Sequence, residues 1–312
     1  MTVINIHNVV NSAYSFRYVS KLLYNFLVEH YNYKVKLSTE YDEKAHNILI
    51  DDSLNCIIKG VKSDVYWTDT AVNFVRLQVF YLKLIESHKD KLFELNYATS
   101  YANKTLFDKI GVKVFDIIPR PINPELFNKV REYKDKNYDV IVIAKEDNCL
   151  RKRVKISYEV VKRLKLKAIF ITNKRYPETN GIKFINYGTL SDEEKMELLS
   201  KSKYLLFLSN YEGFGMPVLE AMACGTPVIF TDRPAHNEFA KGIKIPVERT
   251  YKTACYNTWI ESYYTKIDTI IEKVNEAINL TKDEYQNLQD VVINKAVEVY
   301  NTFVDKVDLL LP

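Results

Sequence analysis

Residues 209–231 read S-N-Y-E-G-F-G-M-P-V-L-E-A-M-A-C-G-T-P-V-I-F-T, and their pattern is strand, glycine turn, helix, turn, strand. Gly213, Phe214 and Gly215 form a loop ahead of a helix that is expected to start near Met216. Pro217 sits at a first-turn position, where a missing N–H costs nothing. The N–H groups of the loop and of the first helical turn have no partner within the helix and lie at the positive end of its dipole, which makes the turn an anion site. Gly225 reads as the residue that ends the helix, Pro227 as a stop and Val228 to Phe230 as a buried strand. An ordinary structural unit accounts for all of this except the two glutamates that flank the turn. Glu212 precedes it, and Glu220 lies about one helical turn after it, within reach of a hydroxyl-bearing ligand whose phosphate occupies the turn. A carboxylate on each side of an anion site suits a sugar joined to a nucleotide.

Outward from this stretch, strands and helices alternate as a doubly wound α/β fold requires. In the first half, strands are expected at Val3 to Ile6, Ile48 to Ile50, Cys56 to Ile58, Val65 to Trp67, Phe93 to Tyr97 and Val114 to Ile118. Helices are expected at Ser15 to His30, Val72 to Ser87 and Tyr101 to Ile110. Pro119, Pro121 and Pro124 mark a non-helical connection. A second alternation follows: strand Val140 to Ala144, helix Lys152 to Leu164, strands Ala168 to Thr172 and Lys183 to Tyr187, helix Asp192 to Ser200 and strand Tyr204 to Leu208. After the glycine-turn unit come helix Ala235 to Ala240 and strand Ile243 to Pro246. The remainder reads as helix over Thr258 to Ile278 and Lys282 to Val307, with Thr281 and Glu284 as a capping box. The G-x-G-x-x-G fingerprint is missing, which argues against a nicotinamide site.

The chain of 312 residues is long enough for two cores of ordinary size, and 47% hydrophobic with 27% charged residues is globular composition. The N-terminus has no basic leader, and no apolar run approaches membrane-spanning length, so a cytoplasmic protein is expected. Cys56, Cys149, Cys224 and Cys255 lack C-x-x-C spacing, so neither zinc nor a disulfide framework is expected. With 8 Gly against 23 Tyr and abundant Lys, Asn and Ile, the composition suggests an AT-rich genome, cellular or viral. The net charge of +4 is unevenly placed: Lys145 to Arg175 holds eleven Lys or Arg against Glu146, Asp147 and Glu159. Such a segment suits nucleic acid, an acidic membrane surface at which the protein would be peripheral, or a pyrophosphate. Within it Lys162, Arg163, Lys165 and Lys167 read as a solvated helix face.

The block E-G-F-G-M-P-V-L-E-A-M-A-C-G-T-P-V-I resembles the E-x7-E signature of the GT4 family of retaining glycosyltransferases. That resemblance implies the GT-B fold, two Rossmann-like domains facing each other across a cleft. The segment from Ala98 to Phe127 resembles the end of a GT4 N-terminal domain. The implied domains are residues 1–128 on the acceptor side and 138–290 on the donor side, with a final helix at about 295–312 packing back on the first. The implied activity moves a sugar from a UDP- or GDP-linked donor to a glycan, lipid or protein acceptor, with retention and with no cofactor. Glu220 would hold the ribose, Gly213, Phe214, Gly215, Met216 and Pro217 the phosphate or sugar oxygens, and Glu212 the transferred sugar. No nucleic-acid partner is expected. A nucleotide-sugar epimerase, a glycan phosphorylase or a binding protein that has lost transfer would share the fold.

Three further places carry the resemblance. G-T-L-S-D-E-E-K at Gly188 to Lys195 resembles the loop that faces the nucleotide base, with Leu190 and Asp192 at its contact positions; Ser191 and Glu194 also read as a capping box. In A-K-E-D-N-C-L-R-K-R-V, Lys145 takes the place of the family's usual Arg, and Arg151 or Lys152 that of its usual Lys, toward the donor pyrophosphate. The interval is longer than the family's. The glycine-rich turn that normally follows the first strand is replaced by N-V-V-N-S-A-Y-S, so Asn11, Ser12 or the helix start would line the cleft. For the family's N-terminal histidine the candidates are Asp69 and His7, the latter also readable as a packed, hydrogen-bonded residue. There is no D-x-D motif, and Asp51-Asp52 reads as a turn, so no metal site is expected.

Overall fold

The computed structural model describes residues 2–8, 14–51, 61–68, 74–76, 96–109, 113–146, 151–177, 179–255 and 258–312. Two compact units emerge, Met1–Ile122 with Val299–Pro312, and Asn123–Glu298.

The first unit contains β1 (Val3–His7), α1 (Tyr14–His30), β2 (Lys34–Ser38), β3 (His46–Leu49), β4 (Val65–Thr68), β5 (Phe74–Arg76), β6 (Asn96–Ala98), α2 (Tyr101–Lys109) and β7 (Asp116–Ile117). All but β5 of these strands form a parallel six-stranded sheet in the order β2-β1-β3-β4-β6-β7. Helix α1 forms because Val19, Leu23 and Leu27 recur at a helical spacing, and all three are buried. The C-terminal residues belong to the same core: Phe303 stacks on Trp67 with ring centroids 6.0 Å apart. The indole N–H of Trp67 donates to the Ile118 carbonyl at 2.9 Å, and Lys306 pairs with Asp116 at 2.8 Å.

The second unit runs β8 (Tyr138–Ala144), α3 (Val154–Arg163), β9 (Ala168–Thr172), β10 (Ile182–Asn186), α4 (Asp192–Ser200), β11 (Ser202–Phe207), α5 (Met216–Ala223), β12 (Val228–Thr231), α6 (His236–Phe239) and β13 (Gly242–Ile245). A hairpin of β14 (Arg249–Cys255) and β15 (Thr258–Tyr264) follows, then α7 (Ile267–Ile278) and α8 (Lys282–Lys306). The sheet order is β10-β9-β8-β11-β12-β13, and every neighbouring pair is parallel. Successive strands step outward from β8 in one direction and from β11 in the other, so the order reverses between β8 and β11. In open parallel sheets, ligands bind beyond the carboxyl ends of the strands at such a reversal. The loops leaving β8 and β11 carry Arg151, Lys152 and Glu212.

Local chemistry sets the ends of the helices around this point. The Glu146 carboxylate accepts the N–H groups of Lys152 and Val154, each at 2.9 Å, and so caps the start of α3. Helix α5 starts at Met216 after Gly215, whose φ of +104° is open to glycine at little cost. At its other end Gly225 has φ +65°; its N–H reaches the Met222 carbonyl and that of Thr226 the Ala221 carbonyl, a Schellman closure. Both expected capping boxes form, Ser191 with Glu194 and Thr281 with Glu284.

Several expectations need correction. Residues 258–264 are not the start of a helix: T-W-I-E-S-Y-Y pairs antiparallel with 249–255, and helix begins only at Ile267. Aromatic and β-branched residues dominate this run, and cross-strand pairing overrides the helical period that begins after it. Phe74–Arg76 is strand, within the helix expected over Val72 to Ser87. Strand β2 was not anticipated; its alternation of Lys34 and Lys36 with Val35 and Leu37 is that of a charged edge strand. The strand expected over Cys56 to Ile58 and the rest of the 72–87 helix lie outside the described residues.

Candidate functional site

Glu212 lies in the loop after β11, and its side chain is only 9% exposed. Its Oε2 accepts from Arg151 Nη1 at 3.1 Å, and its Oε1 from Lys152 Nζ and from the Ser209 hydroxyl, the latter at 2.6 Å. Arg151 Nη1 also donates to the Tyr211 carbonyl at 3.2 Å. The two loops are stitched together by the backbone as well, Asn210 N–H donating to the Arg151 carbonyl at 2.7 Å. Arg151 lies over the Tyr211 ring and Lys152 over that of Phe207.

Beneath this pair lies a third cation. Arg233, 1% exposed, spends its guanidinium on the Ser209 carbonyl at 3.1 Å, the Pro234 carbonyl at 3.1 Å and His236 Nε2 at 2.9 Å. Burial and the neighbouring Arg233 hold the His236 imidazole well below its ordinary pKa, so it is neutral and accepts from the guanidinium. Burial works against ionisation of Glu212, but Lys152 and Arg151 outweigh it and keep the carboxyl below the usual range. Burial draws the Lys152 ammonium down to about 8, against the opposing pull of Glu212.

Glu220, 2% exposed on α5, pairs through Oε1 with Lys195 Nζ of α4 at 2.8 Å. Its Oε2 takes no hydrogen bond among the described residues, so acceptor capacity remains. The pairing places the segment that carries Leu190 and Asp192 beside the helix that carries Glu220. Those two residues are half-buried.

Of the residues expected in the site, the structure joins Arg151, Lys152 and Glu212 directly. Gly213, Phe214 and Gly215 form the buried turn, and Met216 and Pro217 are half-buried at the helix start. Phe214 is a packing residue, stacked on Phe239 with centroids 4.6 Å apart. Lys145 is exposed and forms no ion pair among the described residues. His7 is buried at the end of β1, shares a hydrogen bond with the Ser63 hydroxyl at 3.0 Å, and is lowered to about 4 by burial. This is the packed, hydrogen-bonded reading. Asn11, Ser12, Asp52 and Asp69 lie outside the described residues.

Sequence reasoning missed Ser209, Arg233, His236 and Lys195. Ser209 could have been found from its place at a strand end, three residues before Glu212. Arg233 and Lys195 carry no local signal. Among the described residues no helix is long and apolar enough to cross a membrane.

Residues 133–288 match the family described as Glycosyl transferases group 1. The chain is 30% identical over 295 residues to "Putative glycosyltransferase 41" of Sulfolobus islandicus filamentous virus (isolate Iceland/Hveragerdi), covering 88% of this chain and 79% of that protein. Among solved structures it resembles sucrose-phosphate synthase from Thermosynechococcus elongatus, with TM-score 0.68 and 10% identity over 99% of this chain and 98% of that one. It also resembles Anabaena HepE in complex with UDP and glucose, with TM-score 0.66 and 13% identity over 99% of each chain. The two sheets are thus those of GT-B enzymes, and by its matched region and its viral relative the chain belongs to the glycosyl transferases group 1 family, as a glycosyltransferase.

Proposed function

We propose that this glycosyltransferase takes a sugar from a nucleoside-diphosphate donor, UDP- or GDP-linked, and transfers it with retention and without a metal ion, as a GT4-type hexosyltransferase. The observation that carries this reading is the convergence of three cations on the loop after β11 at the strand-order reversal. Arg151, Lys152 and Arg233 act on Glu212 in a site from which water is largely withdrawn. Burial draws both Lys152 and Arg233 below their ordinary values, so a bound anion is favoured where these charges are poorly solvated. A departing nucleoside diphosphate gains negative charge as the glycosidic bond breaks, so fixed cations held ready for it favour the transition state over the ground state. Glu212 orients Arg151 and Lys152 in this scheme and faces the transferred sugar. The turn from Gly213 to Met216 adds N–H groups and the helix dipole.

Glu220 receives the ribose hydroxyls on Oε2, while Lys195 holds its other oxygen. Retention follows from front-face departure and attack, in which the leaving phosphate helps to deprotonate the acceptor hydroxyl; no protein nucleophile is assigned. HepE, whose fold this chain shares, is seen with UDP and glucose, which supports a uridine donor. Incubation with a panel of UDP- and GDP-sugars, followed by chromatography of the released diphosphate, tests the proposal. Slow hydrolysis of one donor in the absence of acceptor is expected. Binding of every donor with turnover of none would leave a sugar-nucleotide-binding protein.

A further inference from the structure

The basic segment after β8 splits in two. Arg151 and Lys152 go to Glu212, whereas Lys162, Lys165 and Lys167 line a separate open groove of about 620 Å³ together with Thr179. Lys167 immediately precedes β9, and the Thr179 end of the groove leads into β10, so the groove lies at the amino ends of these parallel strands. Glu212 follows the carboxyl end of β11, which runs parallel to them. The groove is therefore not part of the Glu212 site.

Three features of the groove point to a ligand. The ammonium groups of its lysines form no ion pair among the described residues: the nearby Asp139 pairs through Oδ1 with Lys203 at 3.0 Å and accepts the Lys167 backbone N–H on Oδ2 at 2.9 Å, and Asp268 pairs with Arg163 at 3.7 Å. The Thr179 hydroxyl oxygen is buried without a hydrogen-bond partner, although buried hydroxyls are normally satisfied. Lys165 holds φ +54° at the Schellman position that ends α3, its N–H bonded to the Lys162 carbonyl and that of Leu166 to the Val161 carbonyl. Glycine is the favoured residue there, and a lysine at that position keeps a strained backbone where its side chain lines the groove.

We propose that this groove is a second anion site, which binds the phosphate group of a phosphoester through Lys162, Lys165, Lys167 and the Thr179 hydroxyl. Three ammonium groups and one hydroxyl donor match the charge and the acceptor oxygens of a phosphate, and the apolar floor of Leu166 and Ile182 accepts the carbon side of an ester. The same chemistry is offered by a free phosphoester and by the headgroup of an acidic phospholipid.

Titration with inorganic phosphate, read at the backbone amides of residues 165–167 and 179–182 by NMR, isolates this site from the Glu212 cluster. The Lys162→Gln/Lys165→Gln/Lys167→Gln variant is expected to weaken the response about tenfold or more, with donor hydrolysis unchanged. Co-sedimentation with phosphatidylcholine vesicles, with and without phosphatidylglycerol, separates the two sources. Loss of anionic-vesicle binding in the triple variant assigns the site to a lipid headgroup; a phosphate response with no vesicle preference assigns it to a free phosphoester. Lys165→Gly provides a test that misfolding cannot imitate: Tm should rise by ~2 °C while phosphate affinity falls. Phosphate shifts that persist in the triple variant, or the absence of both phosphate and vesicle responses in the wild type, would overturn the proposal.

Discussion

Removing the Glu212 carboxylate would leave Arg151, Lys152 and Arg233 facing one another in a largely buried site. Breaking a buried pair from one side costs about 3–5 kcal/mol, because the Lys152 ammonium loses its carboxylate. Glu212→Ala is therefore expected to lower stability by that order in chemical denaturation. It should spare or tighten free nucleoside diphosphate, since the cations stay, and lower turnover of the sugar nucleotide. Equal losses of affinity for both ligands would contradict the orienting role. Lys152 supplies a pH signature. Its ammonium is held down near 8 chiefly by burial, and a bound diphosphate favours the charged form and raises that value. Between about pH 8 and the ordinary lysine value of roughly 10.4, binding must then take up a proton, and affinity must fall as pH rises through this window. Calorimetry in buffers of different ionisation enthalpy detects the uptake; a buffer-independent heat would exclude Lys152 as the group responsible.

At the scale of elements, the loops of the site owe their positions to helix ends. Helix α5 is held at its far end by Gly225, whose carbonyl accepts from Gln289 Nε2 at 2.7 Å while the same nitrogen donates to the Arg131 carbonyl at 3.0 Å. A Cβ on Gly225 would stand 2.9 Å from that nitrogen and 3.0 Å from a Val130 methyl, and the backbone has φ +65°. The amide cannot retreat without giving up buried hydrogen bonds. Gly225→Ala is thus expected to cost about 2–3 kcal/mol from the left-handed backbone and the crowding together, measured as a lower Tm. An unchanged Tm would mean that the helix end can move freely. The hairpin of residues 249–264 shows the opposite dependence. Its strand residues could be read either way in isolation, and pairing of Arg249 with Tyr264 through Cys255 with Thr258 decides the outcome.

For the whole molecule, the division of one basic run between two places makes a kinetic claim. If Arg151 and Lys152 stabilise the leaving diphosphate, replacing both with Gln should reduce turnover more than it raises KM. Lys162→Gln with Lys165→Gln should leave turnover intact. Equal losses that vanish with added salt would return all four to surface electrostatics. Metal-free transfer makes a second claim: activity is expected to survive EDTA, and a strict Mn²⁺ or Mg²⁺ requirement would remove it. Much of this architecture was legible in the sequence because it rests on near neighbours. Gly215 and Gly225 occupy positions of positive φ, Pro217 lacks an N–H where none is needed, and the buried strands β8, β9 and β11 announce themselves by apolar runs. These local demands determined the alternation of strands and helices and the placing of Glu212 and Glu220 about the turn. Only the tertiary structure decided what each carboxylate faces. Lys152 and Glu212 are 60 residues apart and Lys195 and Glu220 are 25 apart, and no local periodicity records which distant cation the folded sheet will bring within hydrogen-bond reach.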